Sequence, residues 1–280
     1  MTELAVINKA EELKLAALLG ATEDTSSNSG AAEGRLPILK INSKRKDEQG
    51  RKLEQGLFVV TGTGEEPVYA EKVNIRVLSQ MFQWIHFDSE EGKLVNKTLQ
   101  IPNFKHEARD IKGTVRCGKP PSKVLNEMPK AEQKKYTDIK CNRILRILVS
   151  YTGKDADGNE QTVENLPAIM FLKGANFNPF EDEVLKAIPR GTSLYDFNIE
   201  VSAEEMENGS VVYYVLHFKP ELKTKLPLDQ DTYDTMIVMA QMIQKDNEYV
   251  DSQYKKALSR TEAEDDALEA LDSLDADFEE

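Results

Sequence analysis

The sequence predicts a mainly β protein with α-helical insertions, built as a small antiparallel barrel, with a β-sandwich as the alternative architecture. Two observations predict it. Nine short stretches rich in β-branched and aromatic residues follow one another from Arg35 to Pro220, several separated by turn signals. Helical periodicity is confined to a few segments that do not alternate regularly with those strands, which argues against a parallel α/β fold.

The elements follow in order. Residues 3–19 read as a helix with a broad apolar side (Leu4, Ile7, Leu15, Leu18), and "ATEDTSSNSGAAEG", 21–34, reads as a flexible linker. Residues 1–34 are therefore an appendage. The strand stretches are "RLPILKIN", "QGLFVVTG", "PVYAEKVNIRVL", "MFQWIHFD", "KLVNKTLQI", "NRILRILVSYTG", "VENLPAIMFLK", "LYDFNIEVS" and "SVVYYVLHFKP". "GKDADGNE" and "ENGS" resemble hairpin connections. Two helical insertions interrupt the strands, around 119–136 and near 179–188. The core thus spans 35–228, with a basic helical insertion over about 102–139. One long helix covers 229–259, with Tyr233, Ile237, Ala240, Ile243, Asn247, Val250 and Tyr254 along one side, a stripe suited to packing. Residues 260–280 form an acidic tail expected to be disordered.

Charge is unevenly distributed. The 280 residues carry 36 basic and 49 acidic side chains, a net of −13. The tail holds ten of the acids and one Arg, which leaves −4 for residues 1–259. The acidity is local, and the low isoelectric point does not exclude a nucleic-acid-binding body. No stretch approaches the ~20 apolar residues of a transmembrane helix, and the N-terminus does not read as a secretory signal. Cys117 and Cys141 are the only cysteines and form no disulfide framework, so a reducing, cytoplasmic setting is expected.

Two stretches carry the chemistry. In "KVNIRVLSQMFQWIHFD", 72–88, strand alternation puts Val73, Ile75, Val77, Met81, Ile85 and Phe87 on a core face. Lys72, Asn74, Arg76, Gln80, Phe82, Trp84 and His86 share the other. Cations, amides and rings on one face suit single-stranded nucleic acid, with phosphates on the charges and unstacked bases on the rings. The competing reading packs Phe82 and Trp84 under an insertion, and a bulge near Ser79 would swap the faces. Residues 101–149 hold 12 basic residues against 5 acidic, a net of +7, with Phe104 and Tyr136 interleaved. Lys105, Arg109, Lys112, Arg116, Lys119, Arg143 and Arg146 are the binding candidates within this electrostatic footprint. Arg143 and Arg146 rank highest among them, because a strand holds a guanidinium more firmly than a loop.

Metal and catalytic sites fare worse. His106, Cys117 and Cys141 lack a Cys-x-x-Cys pair and a fourth ligand, so no metal is expected. "DADGNE", 155–160, begins like a calcium loop, but Glu160 stands where the invariant Gly should be, so a hairpin turn is expected. No nucleophile, metalloprotease or nucleotide-loop motif is present in the sequence. A non-enzyme without cofactor is the reading.

The basic–aromatic strand face, the barrel-like body and the acidic tail resemble single-stranded DNA-binding proteins of tailed phages. "RCGKPP" at 116–121, "LPAIMFLKGANFNPF" at 166–180 and the helix after "VVYYVLHFKP" look like segments of such proteins. The resemblance implies an OB-like barrel, sequence-tolerant binding of single strands, and service to replication, recombination and repair in the host cytoplasm. It also implies that the tail recruits replication or recombination proteins and competes with DNA for the basic surface. Leu268, Leu271, Leu274 and Phe278 step by three, three and four, one side of a helix, and are the partner-binding candidates. Unlike relatives that finish on an apolar residue, this chain places Glu279 and Glu280 after Phe278. A protein-interaction or assembly component without a nucleic-acid role is the alternative function.

Overall fold

The structure, a computed structural model, describes residues 36–259 except Glu48, Glu90, Lys105 and Ser210. The N-terminal helix and linker, the acidic tail with Leu268, Leu271, Leu274 and Phe278, and Lys105 lie outside the described residues.

The chain is mainly β. Nine strands are β1 (Ile38–Ile41), β2 (Phe58–Thr61), β3 (Tyr69–Ala70), β4 (Lys72–Asp88), β5 (Lys93–Lys97), β6 (Ile139–Lys154), β7 (Glu160–Leu172), β8 (Asn198–Asn208) and β9 (Val211–Pro220). The helical insertion resolves into α1 (Ser122–Glu127) and α2 (Lys130–Gln133) plus a 3₁₀ turn, and α3 (Gln230–Leu258) is the long helix. The described residues form two compact units, 36–82 with 142–243, and 83–141 with 244–259. β4, β6 and α3 contribute residues to both.

The strands form one mixed sheet in the order β3-β2-β1-β7-β6-β4-β8-β9, with β5 against β4. β3 also pairs with β6, which closes β1, β2, β3, β6 and β7 into a ring within the first unit. Four of the ring's pairings are antiparallel, but β1 and β7 run parallel through Ile38↔Ile169 and Leu39↔Met170. This corrects the all-antiparallel expectation for a simple geometric reason. Strand direction must return to itself after one circuit, so five strands cannot alternate all the way round.

Alternation fills the ring. Leu145, Ile147 and Val149 of β6 and Ala168, Met170 and Leu172 of β7 are buried in one cluster with Leu39, Phe58 and Ile75. β4 begins as expected, with Val73, Ile75 and Val77 inside. Arg76 and Leu78 are buried as well, because the second face is covered. Leu78 joins Leu36, Leu148 and Met239 in a second cluster. Two expectations fail further along β4. Phe82 is buried rather than displayed, and Phe87 is 46% exposed rather than core, just past a register shift between His86 and Phe87 that re-aims the strand.

α3 packs as expected on its C-terminal stripe, where Val250 is fully buried, but its N-terminal turns use different residues. In the first unit Thr232, Thr235, Val238 and Met239 are buried while Tyr233 and Ile237 face solvent. The apolar pattern alone misplaces the stripe because two threonines occupy buried positions. Thr232 accepts from Arg76 Nη1 at 3.2 Å, and the Thr235 hydroxyl donates to the Asp231 carbonyl at 2.8 Å.

"DADGNE" is a hairpin turn joining β6 to β7. The Asp155 carboxylate accepts from the backbone N–H of Asp157 and Asn159 and from the side chains of Asn159 and Gln161. At the other end of the sheet, β9 is an edge strand whose outer backbone is partly capped by side chains. Asn176 Nδ2 donates to Tyr214 O and its Oδ1 accepts from Leu216 N, while Glu183 accepts from Phe218 N.

Two measurements follow from these contacts. Ring closure depends on Gly153, where a Cβ would lie 2.2 Å from the Tyr69 carbonyl oxygen on β3. Gly153→Ala should lose about 2–3 kcal/mol of stability by chemical denaturation; an unchanged midpoint would show that the closure yields freely. His217 donates into Glu183 at 3.2 Å and Glu204 at 3.0 Å, which raises its pKa above the ordinary 6.5. Its charged form is favoured in the fold, so this contribution is present below the unfolded pKa and fades as pH rises through the raised value. An NMR titration should find the midpoint above 6.5 and see it fall in Glu183→Gln/Glu204→Gln.

Candidate nucleic-acid interface

In the second unit, the end of β4 and β5 form a hairpin across the "SEEGK" turn, with Ile85↔Lys97 and His86↔Asn96 opposed. The chain then enters a long loop, residues 98–119, that carries Arg109, Lys112, Arg116 and Lys119. A loop with this much like charge needs an internal anchor, and Asp110 supplies it. Its fully buried carboxylate accepts from Lys112 N and Thr114 N at 3.0 Å, Thr114 Oγ1 at 2.6 Å and Cys117 N at 2.9 Å. The turn it holds is tight enough that Arg116 and Cys117 both adopt left-handed backbone, φ 57° and 56°.

That turn delivers two cations to the single tryptophan. The Arg116 guanidinium and the Lys119 ammonium each lie 6.0 Å from the Trp84 ring centroid, at the outer limit of a cation–π contact. Lys119 also donates to the carbonyls of Tyr136 and Ile139, tying the loop to the segment after α2. Burial, with Lys140 nearby, holds the Lys119 pKa below its ordinary value. Trp84 is half-buried, and neither its Nε1 nor Arg116 Nε finds an acceptor among the described residues. Trp84, Arg116 and Lys119 are thus brought together as one basic–aromatic cluster, to which Tyr136 contributes only its backbone carbonyl.

Two other cations of this unit are committed elsewhere. Arg109 pairs with Asp251 at 3.1 Å and covers Tyr254, and Lys97 pairs with Asp246 at 2.6 Å. Asp246 also accepts from Gln100 at 2.8 Å, and Asn247 brackets the Gln100 backbone. Lys112 is exposed.

The first-unit candidates are placed differently, and four of them, Arg76, Phe82, Arg143 and Arg146, are corrections. Arg76 is buried, donating to the carbonyls of Tyr195 and Pro227 at 2.7 Å each and to Thr232. Arg143 is fully buried, and its guanidinium lies among Phe82, Phe177 and Phe180 at 4.9–5.5 Å, bonded to Gln80 at 2.8 Å and Glu181 at 2.7 Å. Phe82 spends its ring on that cage. Arg146 is buried at 4% exposure. A guanidinium enclosed this way cannot meet a phosphate without leaving its partners, which costs several kcal/mol. Lys72 remains at the surface, paired with Glu200 at 3.1 Å.

The sequence reading missed Asp110, and a signal existed: an acid flanked by Arg109 and Lys112 in a basic run, followed by Gly-Thr, is a turn-capping pattern. Cys117 is buried, and burial, with Asp110 close by, pushes its thiol up to about 12. Among the described residues no group of three His, Cys, Asp or Glu could hold a metal ion, and no helix is long and apolar enough to cross a membrane. No protein-family model, curated protein or solved structure matches the chain.

Asp110→Ala should leave several buried N–H groups unpaired and lose about 2–4 kcal/mol. It should also expose Cys117 to alkylation at pH 8, where the parent thiol stays unmodified, as read by mass spectrometry. Equal protection in both proteins would show that Asp110 does not hold the loop.

Proposed function

We propose that the protein is a non-catalytic single-stranded DNA-binding protein of the tailed-phage kind, coating single strands during replication, recombination and repair in the host cytoplasm. The observation that carries this reading is the Trp84 cluster: one half-buried indole with two cations at 6.0 Å, supplied by a loop anchored by a buried carboxylate. A ring and cations held together suit an unstacked base and its phosphates. The net charge of +7 over 101–149 loses two contributors to burial, Arg143 and Arg146, but remains positive.

The closed five-strand ring supports an OB-like reading in strand number and closure alone, since its strands run round the ring in chain order rather than as the Greek key of that fold. In this proposal the acidic residues of 260–280 compete with DNA for the basic loop, and Leu268, Leu271, Leu274 and Phe278 engage a replication or recombination protein.

The test is a salt-dependent titration. Poly-dT should quench Trp84 emission, and duplex DNA should do so weakly. Arg116→Ala/Lys119→Ala should weaken binding about tenfold and flatten the salt slope by about 1.4, two contacts at ~0.7 each. Arg143→Lys should instead lower the melting temperature and leave the affinity of the folded protein unchanged. Unchanged emission with no oligonucleotide retained would sink the proposal.

A further inference from the structure

A second surface, entirely within the first unit, carries the same chemistry without having been predicted from sequence. β1 pairs with β7 over only two residues, and a groove of about 810 Å³ opens beside that short pairing, between β1, β7 and β9. Its floor is apolar, from Met170 and Leu216, and Phe171 of β7 stands on its wall with 38% of its surface exposed. Tyr214 of β9 is the second ring. It is fixed in place: its edge packs over the backbone of Gly56, where an added Cβ would lie 2.6 Å from Cε1, and its hydroxyl donates to Glu205 at 2.9 Å.

The rim is basic. Lys40, Arg45 and Lys173 line the groove, and none of them is ion-paired to another described residue. Arg45 is oriented by Gln55, whose Oε1 accepts from its Nε at 3.1 Å. Lys44 and Lys46 flank it on the exposed β1–β2 loop. The one lining carboxylate, Glu205, is held by Tyr214. An apolar floor, two rings and three cations with no ion pair to a described residue match a polyanion that carries flat apolar groups. A peptide strand would gain the rings but not the cations, unless it were acidic. A duplex, with its bases stacked inside, could not reach the rings.

We infer that this groove is a second single-stranded nucleic-acid site, in which Phe171 and Tyr214 take unstacked bases and Lys40, Arg45 and Lys173 take the flanking phosphates. The inference rests on the proposed single-strand-binding reading but on different residues from the Trp84 cluster. It leads to separable expectations for rings and cations. Removing a ring weakens binding to a strand with bases far more than to a strand without them. Removing cations weakens both and reduces the number of counterions released.

The experiment uses the full chain and fluorescence anisotropy with labelled dT oligonucleotides and abasic deoxyribose-phosphate oligonucleotides of equal length. Phe171→Ala should lose about tenfold in affinity for the dT strand and less than twofold for the abasic one. Lys40→Ala/Arg45→Ala/Lys173→Ala should flatten the salt slope by about 2 for both strands. Phe171 is exposed, so melting temperatures near the parent's are expected, and circular dichroism checks each variant. As a variant-free readout, ultraviolet cross-linking of a thiothymidine-containing strand to the unaltered protein should yield adducts on peptides containing Phe171 or Tyr214. If the unaltered protein binds single strands but the groove variants bind equally well, with adducts confined to the Trp84 region, the groove assignment is overturned and the functional reading survives. If the unaltered protein binds no single strand, both fall. Unchanged DNA affinity together with an altered association state in sedimentation would assign the groove to protein contact and overturn the inference.

Discussion

Ring closure is the constraint on which the first unit depends. Five strands cannot alternate in direction all the way round, so one pair must run parallel, and here it falls between β1 and β7. The closing contact is made where β3 crosses β6 at Gly153, a position with no room for a Cβ. The parallel pair is two residues long, the shortest way to satisfy the circuit. Its brevity leaves Lys40, Ile41 and Phe171 without a partner across the β1–β7 seam, and these residues line the groove beside β9. The topology that closes the core therefore also opens a surface.

Buried charge is the second organising theme. Arg76 and Arg143 sit on strands, inside, each with its guanidinium bonded to neighbours that come from distant parts of the sequence. Arg76 ties β4 to the segment ahead of α3, and Arg143 fills a three-ring cage and holds Glu181. Such groups contribute little net stability when intact and cost several kcal/mol when broken, so they act as fasteners. Asp110 does the same with the opposite sign. Its carboxylate organises a loop whose own side chains are cationic, which lets Arg116 and Lys119 approach one ring despite their repulsion.

Strand positions, hairpin turns and the long helix were legible because period and turn chemistry are local. "GKDADGNE" reads as a hairpin from its residues alone, and the structure places Lys154 opposite Glu160. The fate of the strand arginines was not legible. Alternation gives two faces but cannot say whether the second is covered, and α3 and the segment 177–181 cover it at Arg76 and Arg143. The N-terminal part of the α3 stripe was misplaced because Thr232 and Thr235 are polar by composition yet buried by their hydrogen bonds. Trp84 was grouped by alternation with the cations and ring of its own strand, whereas its neighbours Arg116 and Lys119 come from one loop. The groove residues Lys40, Arg45, Phe171 and Tyr214 are scattered over the sequence and lie together only through the ring and β9, so no window of sequence contains them.

The same geometry bears on whether such a surface could choose among bases. Direct readout of adenine draws on amide groups free to bond base edges. The two amide side chains lining the groove are already engaged. Gln55 donates to Ser43 O at 2.6 Å and accepts from Arg45, and Asn176 spends its donor on Tyr214 O and its acceptor on Leu216 N. What remains is ring faces and cations, which every nucleotide satisfies alike. The Trp84 cluster has the same character, for Lys119 donates to two backbone carbonyls and its neighbours offer a ring and a guanidinium. Binding built from these parts would grade ligands by strandedness and salt more than by sequence, with the Arg45 and Arg116 guanidinium groups the parts still able to bond a base edge. The edge-capping role of Asn176 is thus what removes the groove's best candidate for reading a base.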